Sequence, residues 1–319
     1  MEATMRAADL RRWAQQRGYQ VAWGPWSVVQ EALGDLAERR RTGELDEALD
    51  REYLAPLKAS QAPSEARPEW VILVLVPRPA HRLTFTAGGK SYQALLPPTY
   101  ARYRALRAEV MEDLQASVFE GCPPLAPLQS AHKAVAARLG LVAYGRNNVT
   151  YADGLGSYFQ IVGCATWEDL SEGAAKPRPP ACLDVCASCK ECVTACPTGA
   201  IPEDRFLLKA ERCLVFYNER IEEFPSWMPP GAHRSLMGCL LCQTACPANA
   251  GKLRVEDTGL VFSEEETRSV LNPATGPEDV FLRSAAGKLA TLGLTEEPAP
   301  FWRNLRALLA AKGWPRPAV

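Results

Sequence analysis

Between Cys186 and Pro247 the chain carries two dense cysteine runs with a lone cysteine between them. The first reads Cys186-Ala-Ser-Cys189-Lys-Glu-Cys192-Val-Thr-Ala-Cys196-Pro197, the lone residue is Cys213, and the second reads Cys239-Leu-Leu-Cys242-Gln-Thr-Ala-Cys246-Pro247. A C-x2-C-x2-C-x3-C-P run is the spacing that wraps three thiolates round one iron–sulfur cube and sends the fourth to a neighbouring cube. By that crossover, one 4Fe-4S cluster takes Cys186, Cys189, Cys192 and the distant Cys246. A second takes Cys196, Cys239, Cys242 and, for want of a nearer thiol, Cys213.

Structural zinc is the competing reading, because C-x2-C pairs also hold tetrahedral Zn. Zinc needs neither three thiolates in a row at this spacing nor the Cys-Pro steps at Cys196 and Cys246, where proline turns the chain away. A disulfide scaffold of this cysteine density is normally a short secreted chain, whereas this one has 319 residues. Cys122, Cys164 and Cys182 are left over, each expected as a buried small hydrophobe.

The 36 basic and 37 acidic residues cancel, so no global field draws the chain to nucleic acid or to an anionic membrane. The longest apolar run, Trp70-Val-Ile-Leu-Val-Leu-Val76, is too short to span a bilayer, and the opening residues lack the apolar core of a signal peptide. A cytoplasmic location with no membrane partner is expected.

Taken in order, residues 4–17, 28–41 and 44–53 read as helices, with an aromatic-Gly-Pro turn from Trp23 to Trp26. The polar, Pro-bearing stretch 59–68 reads as a loop leading into 70–76, whose branched residues predict a strand buried on both faces. A hairpin over 83–96 and a helix from Pro97 to about Glu120 follow, then a helix over 130–139 with Ser130 as cap and Gly140 as stop. His132 on that helix is expected to be an ordinary surface or core residue. Two glycine-bearing loops, 144–148 and 153–157, bracket a short strand before a second strand at 158–162. Such loops let backbone amides approach a large ligand, although two plain turns flanking a hairpin read the same way. Gly154-Leu-Gly156 lacks the third glycine and the following helix of a dinucleotide fingerprint. Ser171 to Pro180 reads as a boundary, 209–222 as a helix carrying Cys213, and the tail as two helices, one opening at Pro277 and one over 301–312.

The order Gly145-Arg-Asn-Asn148, Gly156-Ser157-Tyr-Phe159, Cys186 to Pro197-Thr198-Gly-Ala-Ile201, Cys213 and Gly238-Cys239-Leu-Leu-Cys242-Gln-Thr-Ala-Cys246-Pro247 resembles the epoxyqueuosine reductase and reductive dehalogenase family across roughly residues 70–255. The resemblance implies an α/β (α+β) fold: a helical region at 1–68, a nitroreductase-like cofactor-binding core at 69–175, a ferredoxin-like double-cluster module at 181–255 and a short helical tail at 256–319. It also implies two 4Fe-4S clusters, with a Cys at the place of Cys213 completing the second, and a base-off cobalamin that they reduce. Gly145, Arg146, Asn147, Gly156, Ser157 and Tyr158 would then line the corrinoid pocket.

Two departures shape the expected chemistry. The queuosine enzyme places an Asp-Ser pair upstream of its Ala-rich helix, the Asp acting as proton donor, and here Ala126-Pro127 stands in that place. The tail is also shorter than the helical-repeat region of the tRNA-acting enzyme and has no basic surplus. The chain is therefore expected to be a divergent reductase of a small molecule, taking electrons from a ferredoxin or flavodoxin, with tRNA not expected as substrate. Tyr100, Tyr144 and Tyr151 are the candidate proton donors. The alternatives are a corrinoid-free electron carrier or activator of a partner enzyme, with flavin or no further cofactor, and an epoxyqueuosine reductase proper. A bare carrier needs only the cysteine module, so the long region before it favours an enzyme.

Overall fold

The computed structural model describes residues 2–57, 68–204, 207–272, 275–294 and 298–312. All of the loop expected at 59–68 except Pro68 lies outside the described residues. In chain order the elements begin α1 (Glu2–Gln16), β1 (Gln20–Pro25), α2 (Ser27–Arg41) and α3 (Glu47–Leu49), the last running into a π-helical turn, Asp50–Leu54. Next come β2 (Trp70–Pro77), β3 (Ala80–Ala87), β4 (Lys90–Leu96), α4 (Tyr103–Val118), β5 (Ala126–Pro127), α5 (His132–Arg138), β6 (Ala143–Tyr144), β7 (Thr150–Tyr151) and β8 (Phe159–Thr166). The remainder is α6 (Glu191–Ala195), α7 (Leu214–Asn218), α8 (Leu241–Thr244), β9 (Val255–Phe262), α9 (Glu264–Leu271), α10 (Val280–Ala290) and α11 (Pro298–Ala311). No described helix is long and apolar enough to cross a membrane.

The chain divides into two units. The first comprises Met1–Pro77, Ala105–Cys189 and Asp204–Glu211, and the second Arg78–Arg104, Lys190–Glu203 and Arg212–Val319. The first is built on an antiparallel sheet in the order β1-β2-β8-β5. Because side chains alternate along a strand, β2 sends Val71, Leu73 and Leu75 to a core shared with α2 and α5. It sends Ile72, Val74 and Val76 to a second core with Leu10, Trp13, Val110 and Leu114 of α1 and α4. The mixed α/β class and the buried strand at 70–76 agree with the sequence expectation.

Three local expectations differ. Trp23 to Trp26 is not a free turn, since β1 runs through Pro25 with Trp23 opposite Ile72, and the Trp23 indole donates to the Leu170 carbonyl at 2.9 Å. A neighbouring strand overrode the local Gly-Pro signal. Ser130 does not cap α5, whose N-cap is Ala131 with no side-chain bond; the Ser130 carbonyl, not its hydroxyl, accepts from the His132 amide at 2.9 Å. Of the three leftover cysteines only Cys164 is buried, Cys122 being half-buried and Cys182 exposed.

The second unit has a three-stranded sheet in the order β4-β3-β9, the β3–β4 hairpin antiparallel as expected and β9 parallel to β3. Phe85 stacks on Phe262 with ring centroids 4.3 Å apart, and the core continues through Leu83, Leu96, Leu289 and Leu305. The helical tail has three helices, α9 to α11, instead of the two read from sequence. The expected helix over 209–222 is only α7, because Cys213 sits at its N-cap in an extended conformation, φ −77° and ψ 131°.

Candidate iron-sulfur and cofactor sites

The second unit holds five cysteines of the two runs and the lone Cys213, with Cys192 on α6, Cys242 on α8 and the others at or beside helix ends. Cys196 closes α6 and accepts at its Sγ from the Ala200 amide at 3.3 Å, with the Thr198 hydroxyl 3.5 Å away. Cys213 opens α7, so the amides of Val215 and Phe216 act on its sulfur, and the Leu241 amide acts likewise on Cys239. Burial pushes the Cys213 thiol up to about 11, against those amides, and the nearby Cys239 and Cys196 push it the same way. Burial raises Cys239 too, with Cys196 adding to the effect. The structure thus brings Cys196, Cys213 and Cys239 within electrostatic reach of one another. Thiols that burial keeps protonated ionise only against a metal's charge, and amides aimed at sulfur suit an iron–sulfur donor set. Among the described residues no three His, Cys, Asp or Glu side chains converge as ligands of a single metal ion would.

Around these thiols the chain is pinned by side-chain amides. Asn218, buried at the end of α7, donates to the Gly238 carbonyl at 2.7 Å and accepts from the Gly238 amide at 3.3 Å. That ties the helix opened by Cys213 to the residue before Cys239. From α11, Asn304 donates to the Asn218 carbonyl at 2.8 Å, and Arg303 donates to the carbonyls of Tyr217, at 2.8 Å, and Glu222.

The first unit holds Cys186 and Cys189 together with the glycine-bearing loops, and Cys186 lies against the first of them. Tyr144 bonds through its amide to the Ala181 carbonyl at 2.8 Å and accepts from the Leu183 amide at 2.9 Å, which brings the segment before Cys186 against β6. Arg146 is buried; its amide donates to Cys186 Sγ at 3.5 Å and its guanidinium to the Cys186 carbonyl at 2.8 Å. Asn148 turns through φ 60° and its amide returns to the Gly145 carbonyl at 2.9 Å, while the Asn147 amide group reaches the Tyr151 hydroxyl at 2.8 Å. A Cβ at Gly145 would lie 2.6 Å from Asn147 Oδ1 and 2.7 Å from the Tyr151 ring, so only glycine fits this turn. Gly154 and Gly156, both at positive φ, form the second loop, closed by the Ala152–Gly156 bridge; Ser157 and Tyr158 are buried beside it.

The three tyrosine candidates separate. Tyr151 is buried against Asn147, and burial pushes the Tyr144 hydroxyl up to about 12. Tyr100 belongs to the second unit, where its hydroxyl donates to Glu219. Ala126, in the place of the expected carboxylate, is buried in β5 opposite Ala165. Two residues escaped the sequence reading. Lys133, one residue past His132, holds the Asn148 carbonyl at 3.3 Å, and crowding lowers its pKa although the side chain is exposed. Glu219 stands 119 residues from its partner Tyr100, and no local pattern announces that pair. His132 packs against β8, where a Cβ at Gly163 would lie 2.7 Å from its ring, in keeping with a packing role.

The family described as "4Fe-4S double cluster binding domain" matches residues 185–249. Curated relatives are epoxyqueuosine reductases: that of Synechococcus sp. is 27% identical over 203 residues, 64% of this chain and 55% of that protein. Those of Bacillus subtilis and Gloeobacter violaceus are 33% identical over 38% of this chain and 29% of that protein, and 34% over 42% and 39%. The chain thus spans about half or less of the relatives it matches. Among solved structures, the epoxyqueuosine reductase of Streptococcus thermophilus superposes with a TM-score of 0.64 at 17% identity, over 96% of this chain and 81% of that one. One solved with an epoxyqueuosine-modified tRNA stem loop gives 0.59 at 18%, over 95% and 80%, and at these identities the likeness speaks for the fold alone. The chain is thus similar to the epoxyqueuosine reductases and matches a 4Fe-4S double-cluster domain over residues 185–249.

Proposed function

We propose that the protein is an iron–sulfur reductase that passes low-potential electrons through two 4Fe-4S clusters to a bound corrinoid, for reduction of a small organic substrate. The two cysteine runs with their Cys-Pro steps, together with Cys213, carry this reading, supported by the match to a double-cluster domain over 185–249. Cys186, Cys189, Cys192 and Cys246 would hold the first cluster, and Cys196, Cys213, Cys239 and Cys242 the second. Thiolate ligation in a buried setting keeps such couples low in potential.

A bound cobalamin would supply the two-electron chemistry, and the protein's part would be to bind and orient it, exclude water and supply protons. Gly145, Asn147, Gly156, Ser157 and Tyr158 belong to turns with little side-chain bulk, which suits close approach of a large ligand. Arg146 would brace that loop against Cys186, and Lys133 is a cation positioned at its far end by Asn148. With alanine at 126, no carboxylate stands where the queuosine enzymes carry their proton donor. Electrons would come from a ferredoxin or flavodoxin.

The test is anaerobic purification with iron, sulfide and cobalt analysis, followed by the visible spectrum after adding cobalamin to reconstituted protein. About eight irons per chain, one cobalt and a shift to the base-off spectrum are expected. Full iron without corrinoid uptake would refute the reductase reading and turn attention to flavin or a partner enzyme.

A second reading, reduction of epoxyqueuosine in tRNA, is favoured by the curated relatives reported above and by the solved relative with a modified stem loop. These weigh against the sequence expectation that tRNA is not the substrate. Conversion of an epoxyqueuosine-modified stem loop by the reconstituted, reduced protein would establish it; no conversion by corrinoid-loaded protein would leave the small-molecule reading standing.

A further inference from the structure

The pair formed by Tyr100 and Glu219 lies entirely within the second unit, against the segments that carry the second set of thiols. Tyr100 rests on the backbone of Gly238, where a Cβ would lie 2.6 Å from its Cε2 and 3.0 Å from its hydroxyl; Gly238, at φ 66°, directly precedes Cys239. Glu219 directly follows Asn218, whose side chain bonds both the amide and the carbonyl of Gly238. The phenol and carboxyl are therefore held by the same strap that fixes Cys213 to Cys239, and the charges of both thiols act on Tyr100.

Glu219 keeps an exposed edge, yet the atoms crowded round it desolvate it and raise its pKa, partly offset by the Tyr100 hydrogen bond. Glu219 is exposed, so water can deliver a proton to its carboxyl, while the Tyr100 hydrogen bond ties it to the strap beside Cys239, where a nearby change of charge acts on it. The cations of the surrounding segments make contacts of their own. Arg220 lies over the Phe216 ring at 3.7 Å, Arg234 donates to the Gly231 carbonyl at 3.1 Å, Arg303 binds the carbonyls of Tyr217 and Glu222, and His233 packs on Phe224.

We propose that Tyr100 and Glu219 form a proton site linked to the second cluster: one-electron reduction of that cluster is accompanied by uptake of one solvent proton at the Glu219 carboxylate, and oxidation releases it. The electron comes from the low-potential one-electron donor, the proton from solvent water at the exposed carboxyl, and no bond other than O–H is made or broken. The physical reason is mutual stabilisation: an added negative charge beside a carboxylate favours its protonated form, and the bound proton favours the reduced cluster. Glu219 and Tyr100 belong to the strap and are not among the proposed ligands, so they are positioning and proton-holding residues. The inference rests on the assignment of Cys196, Cys213, Cys239 and Cys242 to one cluster and is independent of any corrinoid.

The experiment is a redox titration of the anaerobically reconstituted full chain, followed by electron paramagnetic resonance at a series of pH values. In the wild type, the midpoint of one cluster is expected to fall as pH rises, by up to about 59 mV per pH unit, the tenfold change in proton activity converted for one electron. Glu219→Gln, which keeps shape and removes the proton site, should flatten that slope while leaving iron content and the other midpoint unchanged. Tyr100→Phe, which removes a hydrogen bond to the charged carboxylate, should keep the slope and move its pH window upward. A carboxylic-acid band in the reduced-minus-oxidised infrared difference spectrum, lost in Glu219→Gln, is the second readout. Full iron with pH-independent midpoints, or an unchanged slope in Glu219→Gln, would overturn the proton site alone. Half the iron and a single resonance in the wild type would overturn the cluster assignment, and the proposal with it.

Discussion

Arg146 grips Cys186 twice, its amide donating to Sγ at 3.5 Å and its guanidinium to the carbonyl at 2.8 Å, both inside a buried environment. A thiol of the first run and a loop of the proposed cofactor site are thereby one mechanical unit. Arg146→Met keeps the amide bond and much of the side-chain volume but strands the Cys186 carbonyl. Leaving a buried acceptor unsatisfied costs about 1–3 kcal/mol, so the variant should melt at lower temperature and release iron faster to a chelator. Unchanged melting and iron release would mean that the guanidinium bond contributes nothing to the site.

In the proposed assignment Cys213 is the second cluster's ligand from outside both dense runs, which makes it the sharpest test of that assignment. Replacing it with alanine should remove about half the iron, leaving one cube and its spectrum in place. Iron and sulfide analysis against the wild type checks this. Retention of about eight irons would show that another thiol completes the cluster, and the exposed Cys182 is the first to examine.

The helical tail offers a test of local stability away from the metal. Ser263 accepts from the Glu266 amide at 3.2 Å, and Glu266 accepts from the Ser263 amide at 2.7 Å, a reciprocal cap on α9 that Lys288 completes with an ion pair to Glu266 at 2.5 Å. Ser263→Ala should cost about 1 kcal/mol of stability, seen in chemical denaturation, with iron content unchanged. An effect within error would place the cap's worth in Lys288 instead.

What the sequence could disclose was whatever is written locally. Cluster ligation depends on the spacing of residues a few positions apart, so the cysteine runs stand out without any tertiary information. The strand at 70–76 is legible because both its faces are buried and every position is apolar. By contrast β9, Val-Glu-Asp-Thr-Gly-Leu-Val-Phe, is mostly exposed and carries charges and a glycine, so it has no period to read; only its parallel pairing with β3 makes it a strand. The same holds for Trp23, which a distant strand drew into a sheet, and for Glu219, whose partner is fixed by folding alone. The shifted pKa values of Lys133 and Glu219 are equally hidden from the sequence, since each is acquired from surroundings that assemble only in the fold.

His233 gives the pH dependence of stability a definite sign. Burial lowers its pKa from the ordinary 6.5 to about 4, and the Arg303 charge adds to the effect, so the folded protein holds it neutral. Between those two values the unfolded chain binds the extra proton, and stability therefore rises with pH. The neutral-His contribution is full above the unfolded pKa and is lost as pH falls toward the folded one, at up to about 1.4 kcal/mol per pH unit. His233→Phe, which retains a ring against Phe224, now 4.4 Å from the imidazole, removes the titration. Melting temperatures of wild type and variant should converge near pH 4 and separate in favour of the wild type above pH 6, with the gap opening across that window. Parallel curves through this range would show that His233 takes up its proton as easily folded as unfolded.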